Sequence, residues 1–298
     1  MKNTIFTGAG VAIVTPMNAD GSINYDKLGE LIDWQIEEGT DAIIICGTTG
    51  ESSTMTDEEH IECIRYAVEK VAKRVPVIAG TGSNHTDYAV GLSKKAQELG
   101  ADALLLVTPY YNKTSQRGLI THYTTIANAV DIPIILYNVP SRTGVNILPE
   151  TLKELSKVKN IVAVKEATGN ISQIARVAAL CGDDLDIYSG NDDQIVPIMA
   201  LGGKGVISVL SNCMPGETHE ITQLCLENRY PEATAKMNRL LDFSNSNGLF
   251  MDVNPIPVKE ALNIMGKDVG ECRLPLVRME DAKIEKLRAK MQELGLVK

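Results

Sequence analysis

Short apolar runs return along this chain at near-regular intervals, each followed by a stretch with helical amphipathicity, and that alternation restricts the available folds more than any single residue does. The runs are "GVAIVTP" at 10–16, "DAIIICG" at 41–47, "VPVIAG" at 75–80, "ADALLLVTP" at 101–109, "IPIILYNVP" at 132–140, "IVAVKEAT" at 161–168, "DIYSG" at 186–190 and "GVISVL" at 205–210. Near-continuous apolarity rich in Val and Ile marks strands buried on both faces, as parallel strands are. Helical periodicity fills the gaps, as over Tyr25–Glu38, Asp57–Lys73, Asp87–Leu99 and Gly118–Ala129, and "TDEE" at 56–59 predicts a capping box with Thr56 as N-cap and Glu59 reaching back. Eight such units in about 225 residues predict an α/β fold, a (β/α)8 barrel. Alternation alone also suits a doubly wound sheet.

From about residue 230 the rhythm stops. "PEATAKMNRLLDFSNSN", "IPVKEALNIMG" and "EDAKIEKLRAKMQELG" are helical and no strand follows them. The expected organisation is a barrel over 1–228 and a C-terminal helical domain over 229–298. With 4% aromatic residues, the cores must be built mainly from Val, Ile, Leu and Ala.

A formal charge of −9 argues against nucleic acid or an anionic membrane as partner, because both normally need a basic face. The amino terminus lacks a signal-peptide pattern and no run is long enough to cross a bilayer. Cysteines 46, 63, 181, 213, 225 and 272 show no CxxC pairing, which suits reduced packing thiols in a cytoplasmic protein. Histidines 60, 85, 122 and 219 have no ligand spacing, so no metal is expected.

In such a barrel the active site forms where the strands end. Those ends carry "GTTGES" (47–52), "TPYYN" (108–112), "YNVPSRTG" (137–144), Lys165 and "SGND" (189–192). Lys165 closes a buried run, and desolvation lowers a lysine's pKa, freeing the amine to attack a ketone and form a Schiff base. Tyr137, at the end of the neighbouring strand, could relay the protons this needs, especially through Thr48. "GTTG" offers backbone N–H groups and hydroxyls to a carboxylate, and Arg142 could pair bidentately with another. Each also has a bland reading: a snorkelling lysine, a core tyrosine, an ordinary turn, a surface arginine. "AGTGSN" at 79–84 lacks a phosphate-loop pattern, "LGGKG" at 201–205 reads as a turn on the opposite face, and "KIEKLRAKMQELG" reads as a solvated helix.

"AIVTPM", "GTTGES", "VTPYYN", "LYNVPSRTG", "VKEATGN", "GVISV" and "NPIPVK", in this order through nearly the whole chain, resemble the 4-hydroxy-tetrahydrodipicolinate synthase (dihydrodipicolinate synthase) family. That family belongs with N-acetylneuraminate lyase among the pyruvate-dependent, lysine Schiff-base aldolases. The resemblance implies a (β/α)8 barrel with a C-terminal helical domain, usually a homotetramer, with a dimer as the alternative. It implies that pyruvate condenses with Lys165 and that the enamine attacks L-aspartate 4-semialdehyde, in the first committed step of diaminopimelate and lysine biosynthesis. Thr48, Tyr137 and Tyr111 then match a proton-relay triad whose second tyrosine enters from a neighbouring subunit. Thr49 matches the pyruvate-carboxylate contact through its N–H, Arg142 the receptor of the semialdehyde carboxylate, and Ile207 a residue lining the pyruvate pocket. The chemistry implied needs no metal or organic cofactor. A lyase for another 2-oxo acid and a silent, ligand-binding barrel are the competing readings. Intact Lys165, Tyr137, Tyr111 and Thr48 speak against the second, and Arg142 favours an amino-acid aldehyde over a sugar. Lysine-inhibited members use a site matching Ser52, His60, Asn84 and Tyr110, with a His and a Glu where this chain has Asp57 and Tyr88. Weak or absent lysine feedback is expected.

Overall fold

A computed structural model describes residues 2–298. Its centre is a closed barrel of eight parallel strands in sequence order: β1 Gly8–Ala12, β2 Ala42–Ile45, β3 Val77–Gly80, β4 Ala103–Val107, β5 Ile134–Asn138, β6 Ile161–Glu166, β7 Asp186–Ser189 and β8 Gly205–Ser208. Seven of the eight apolar runs contain a strand, the first overlaps β1, which starts two residues earlier at Gly8, and closure decides against the doubly wound sheet. The seam pairs β1 with β8, Gly8 against Gly205 through Val11 against Ser208. Only glycine fits at its start, since a Cβ on Gly205 would stand 1.9 Å from the Gly8 carbonyl oxygen.

The helices are α1 Tyr25–Glu37, α2 Asp57–Val71, α3 Thr86–Glu98, α4 Gln116–Ala127, α5 Pro140–Thr143, α6 Pro149–Leu155, α7 Ile171–Cys181, α8 Ile195–Ala200, α9 Pro215–Leu226, α10 Tyr230–Leu240, α11 Ile256–Ile264 and α12 Asp281–Glu293. The expected capping box opens α2: the Thr56 hydroxyl accepts from the Glu59 N–H at 3.2 Å and the Glu59 carboxylate accepts from the Thr56 N–H at 3.0 Å. After α9 no strand follows. Helix α10 packs on α8 and α9, while α11 lies beside the turn that follows β8 and α12 packs on α11.

Strand side chains alternate between two apolar layers. One lies between strands and helices and includes Ile43, Leu104, Val164 and Val206. The other fills the lumen with Ala12, Ile44, Ile78, Leu105, Ile135, Tyr137, Ala163, Tyr188 and Ile207. Phe6 stacks on Tyr188 with ring centroids 4.4 Å apart, and the Tyr188 hydroxyl donates to the Phe6 carbonyl at 2.6 Å, so the amino-terminal segment closes one end of the lumen. The chemistry has the other end.

Candidate active site

Two residues beyond Ala163, Lys165 shares its inward face by the strand period, so an ammonium-bearing side chain ends a stack of lumen hydrophobes. It is 5% exposed. Tyr137 sits level with it on β5, and the Lys165 Nζ lies 4.4 Å from the Tyr137 ring centroid. Gly190 keeps space open, because a Cβ there would meet Lys165 Cε at 3.2 Å and Ala167 Cβ at 2.8 Å. Above them is a cavity of about 230 Å³, walled by Thr48, Thr49, Tyr137, Arg142, Lys165 and Asn254 among others.

Burial dominates the electrostatics. It lowers the Lys165 pKa to about 8, against the nearby Asp192 carboxylate, which favours the ammonium, and with the Arg142 cation, which disfavours it. A substantial share of the side chain is therefore free amine in mildly alkaline water. Burial pushes the Tyr137 phenol above its ordinary range, with Arg142 and the adjacent Thr48 hydroxyl opposing. The phenol stays protonated and able to donate.

The loop after β2 carries Thr48 and Thr49 and is tied down from the far end of the chain. The Thr49 hydroxyl accepts from Asn254 Nδ2 at 3.0 Å, and the Thr15 hydroxyl donates to the Gly50 carbonyl at 2.8 Å. Glu51, at φ +56°, accepts from Lys259 Nζ at 2.9 Å on one oxygen and from the Arg273 N–H at 2.9 Å on the other. Arg142, exposed on α5, borders the cavity, and its guanidinium donates to the Asn254 carbonyl at 3.5 Å.

Five of the seven residues singled out from sequence thus meet around one cavity: Lys165, Tyr137, Thr48, Thr49 and Arg142. Two do not. Ile207 is fully buried in the lumen, and Val209, two residues on, reaches the cavity wall instead. Tyr111, at φ +67° on the loop after β4, is 92% exposed and away from the cavity of its own chain. Sequence reasoning assigned no role to Asn254 or Asp192. Asn254 opens the quoted "NPIPVK", and Asp192 closes the quoted "SGND", each without a partner in sequence to give it meaning.

A second cavity of about 380 Å³ shares Thr48, Val139 and Arg142 with the first and reaches Ser52, His60, Tyr88 and Tyr110. Here the Tyr88 hydroxyl donates to Asp57 at 2.6 Å, so the two positions that depart from the lysine-inhibited pattern bind each other. Among the described residues no cluster of three or more His, Cys, Asp or Glu side chains could hold a metal ion, and no helix is long and apolar enough to cross a membrane. All six cysteines are free thiols.

A buried lysine of lowered pKa at the carboxyl ends of a parallel barrel, level with a tyrosine and faced by an arginine, fits a (β/α)8 lyase of the aldolase type. The chain belongs to the dihydrodipicolinate synthetase family, whose model matches residues 5–294. It is 60% identical over 295 residues to the 4-hydroxy-tetrahydrodipicolinate synthase of Lachnoclostridium phytofermentans, covering 98% of this chain and 99% of that one. To the enzyme of the same name from Acetivibrio thermocellus it is 56% identical over 297 residues, the whole of both chains. The dihydrodipicolinate synthase of Acinetobacter baumannii, solved in complex with pyruvate, superposes with a TM-score of 0.96 at 42% identity, over 99% of this chain and 100% of that one.

Proposed function

We propose that this protein condenses pyruvate with L-aspartate 4-semialdehyde to give 4-hydroxy-tetrahydrodipicolinate, with Lys165 as the nucleophile. The observation that carries the reading is Lys165 itself, 5% exposed with Nζ 4.4 Å over the Tyr137 ring. Its free amine adds to the pyruvate ketone, and the carbinolamine loses water to leave a protonated iminium. Tyr137 hands a proton to the departing hydroxyl, and the Thr48 hydroxyl links the phenol onward. The iminium withdraws electrons from the methyl carbon, which gives up a proton and becomes the enamine. That carbon attacks the aldehyde, whose oxygen takes up a proton, and the amino group of the second substrate then adds to the iminium carbon and displaces Lys165, which closes the ring and returns the free amine.

Backbone N–H of Thr49 receives the pyruvate carboxylate, and Arg142 at the mouth receives the carboxylate of the aldehyde. Ile207 supports the apolar floor below. Tyr111 completes the relay from a second copy of the chain, in keeping with its exposure, which makes at least a dimer part of catalysis; we assign a homotetramer. Pyruvate is carried covalently, so no organic cofactor or metal enters the scheme, and we assign the reaction to the cytoplasm.

Pyruvate consumption by the purified protein tests the reading, with aspartate semialdehyde in one cuvette and N-acetylmannosamine in another. Consumption only with the semialdehyde is expected. Consumption only with the sugar keeps the Lys165 chemistry but overturns the substrate and the role given to Arg142.

A further inference from the structure

The scheme above leaves one buried carboxyl group beside the cavity unused. Asp192 follows β7, one residue beyond the Asn191 that walls the cavity, and is 4% exposed. One carboxylate oxygen accepts from the N–H groups of Val209 and Leu210 at 3.1 and 2.9 Å. The other, Oδ1, is equally buried and receives no hydrogen bond. A buried acceptor left without a donor is costly and rare in native structures, and it calls for a partner. The groups that face Lys165 are Tyr137 from β5, Arg142 from α5, Tyr188 level with it on β7, and Asp192. Of these, Asp192 is the one carboxylate. Burial pushes the Asp192 carboxyl upward, and the Ser208 hydroxyl, the Leu210 and Val209 N–H groups and Lys165 oppose it in favour of the carboxylate. Glu166, next to Lys165 on β6, points the other way, into the layer between barrel and helices.

We propose that Asp192 is a positioning residue whose carboxylate, anchored behind the cavity wall by Val209 and Leu210, is the counter-charge of the cation formed at Lys165. The inference rests on the Schiff-base reading and deepens it. Addition of the amine to the ketone and loss of water leave the positive charge on nitrogen, and that charge must persist until the methyl proton departs. Arg142 opposes it and burial leaves it little contact with water, so the interaction with Asp192 favours the protonated iminium. Asp192 neither gives nor takes a proton. The ammonium of resting Lys165 carries the same charge in the same place, so one carboxylate stabilises both.

The experiment is borohydride trapping of pyruvate by the full-length protein across the pH range in which Lys165 titrates. Wild type is compared with Asp192→Asn, whose amide oxygen can still accept from Val209 and Leu210. Removing the charge moves the acid limb of trapping roughly one pH unit lower, the shift typical of losing a nearby opposite charge. On the alkaline plateau it raises the pyruvate concentration for half-maximal trapping roughly tenfold, since the iminium loses the same stabilisation. Asp192→Ser, also neutral but smaller, is measured alongside in case the amide fits badly, and melting temperatures accompany both. A structural role would lower the melting temperature and leave the acid limb in place; that result in the folded variants overturns the proposal. Failure of the wild type to trap pyruvate at all would instead overturn the Schiff-base reading, before any variant is compared.

Discussion

Replacing Lys259 by Met should cost far more than a surface lysine would, and the structure says why. Lys259 and Glu51 form an ion pair at 2.9 Å with side chains 2% and 1% exposed. The Lys259 ammonium also donates to the carbonyls of Glu271 at 2.7 Å and Thr15 at 3.2 Å. Removing the cation leaves the Glu51 carboxylate buried with the Arg273 N–H as its remaining donor and two carbonyls unpaired. Breaking one side of such a pair typically costs about 3–5 kcal/mol, because an uncompensated charge stays out of water. For a chain of 298 residues that corresponds to a fall in melting temperature of roughly 5–8 °C. The second substitution decides the cause. Lys259→Met combined with Glu51→Gln removes both charges, and the double variant should melt above the Lys259→Met single. Because Glu51 closes the loop that holds Thr48 and Thr49, the pyruvate KM should rise several-fold in the single variant and recover partly in the double. The assay is scanning calorimetry paired with steady-state kinetics. A single variant within about 2 °C of wild type, or a double variant less stable than the single, would refute the reasoning.

Three further outcomes are expected. The rate of Schiff-base formation with pyruvate should rise with pH and level off above about 8, where the buried Lys165 amine becomes unprotonated; a limb near the ordinary lysine value would contradict the assigned burial. Glu166, fully buried and held neutral with its pKa pushed up to about 8 by burial, should make the wild type lose stability as pH rises from the ordinary carboxyl range to about 8, since only the unfolded chain releases that proton; Glu166→Gln should flatten this slope in melts at successive pH values. Calorimetric titration with L-lysine should show no micromolar binding, because Asp57 already accepts the Tyr88 hydroxyl and no carboxylate replaces it; tight binding would sink that expectation.

Glu166 and Lys165 show where a linear reading stops. Both are ionisable residues at the end of one apolar run, yet one faces the cavity and the other the wall behind it. The two-residue period of a strand makes this a parity question, and parity was settled once Ala163 proved to face the lumen. Behind the wall, Asn138 and Gln173 stand near Glu166 but direct their amide hydrogens to Asn146 and the Ile147 carbonyl, leaving both carboxyl oxygens without a donor. No spacing in the sequence announces that.

What the sequence determined by itself was everything carried by local pattern: eight buried strands, the helices between them, the helical end, and the motifs whose order placed Lys165, Tyr137, Thr48, Thr49 and Arg142 at strand ends. Those follow because hydrophobic period and strand-end position are properties of neighbouring residues. Barrel closure at Gly8 and Gly205, the grip of Asn254 and Lys259 on the loop after β2, and the approach of Asp192 to Lys165 were decided only in three dimensions. Asn254 meets Thr49 across 205 positions of chain. Whether such groups are paired or orphaned depends on which side chains burial brings within hydrogen-bond reach, and a closed barrel sets that by geometry rather than by distance along the chain.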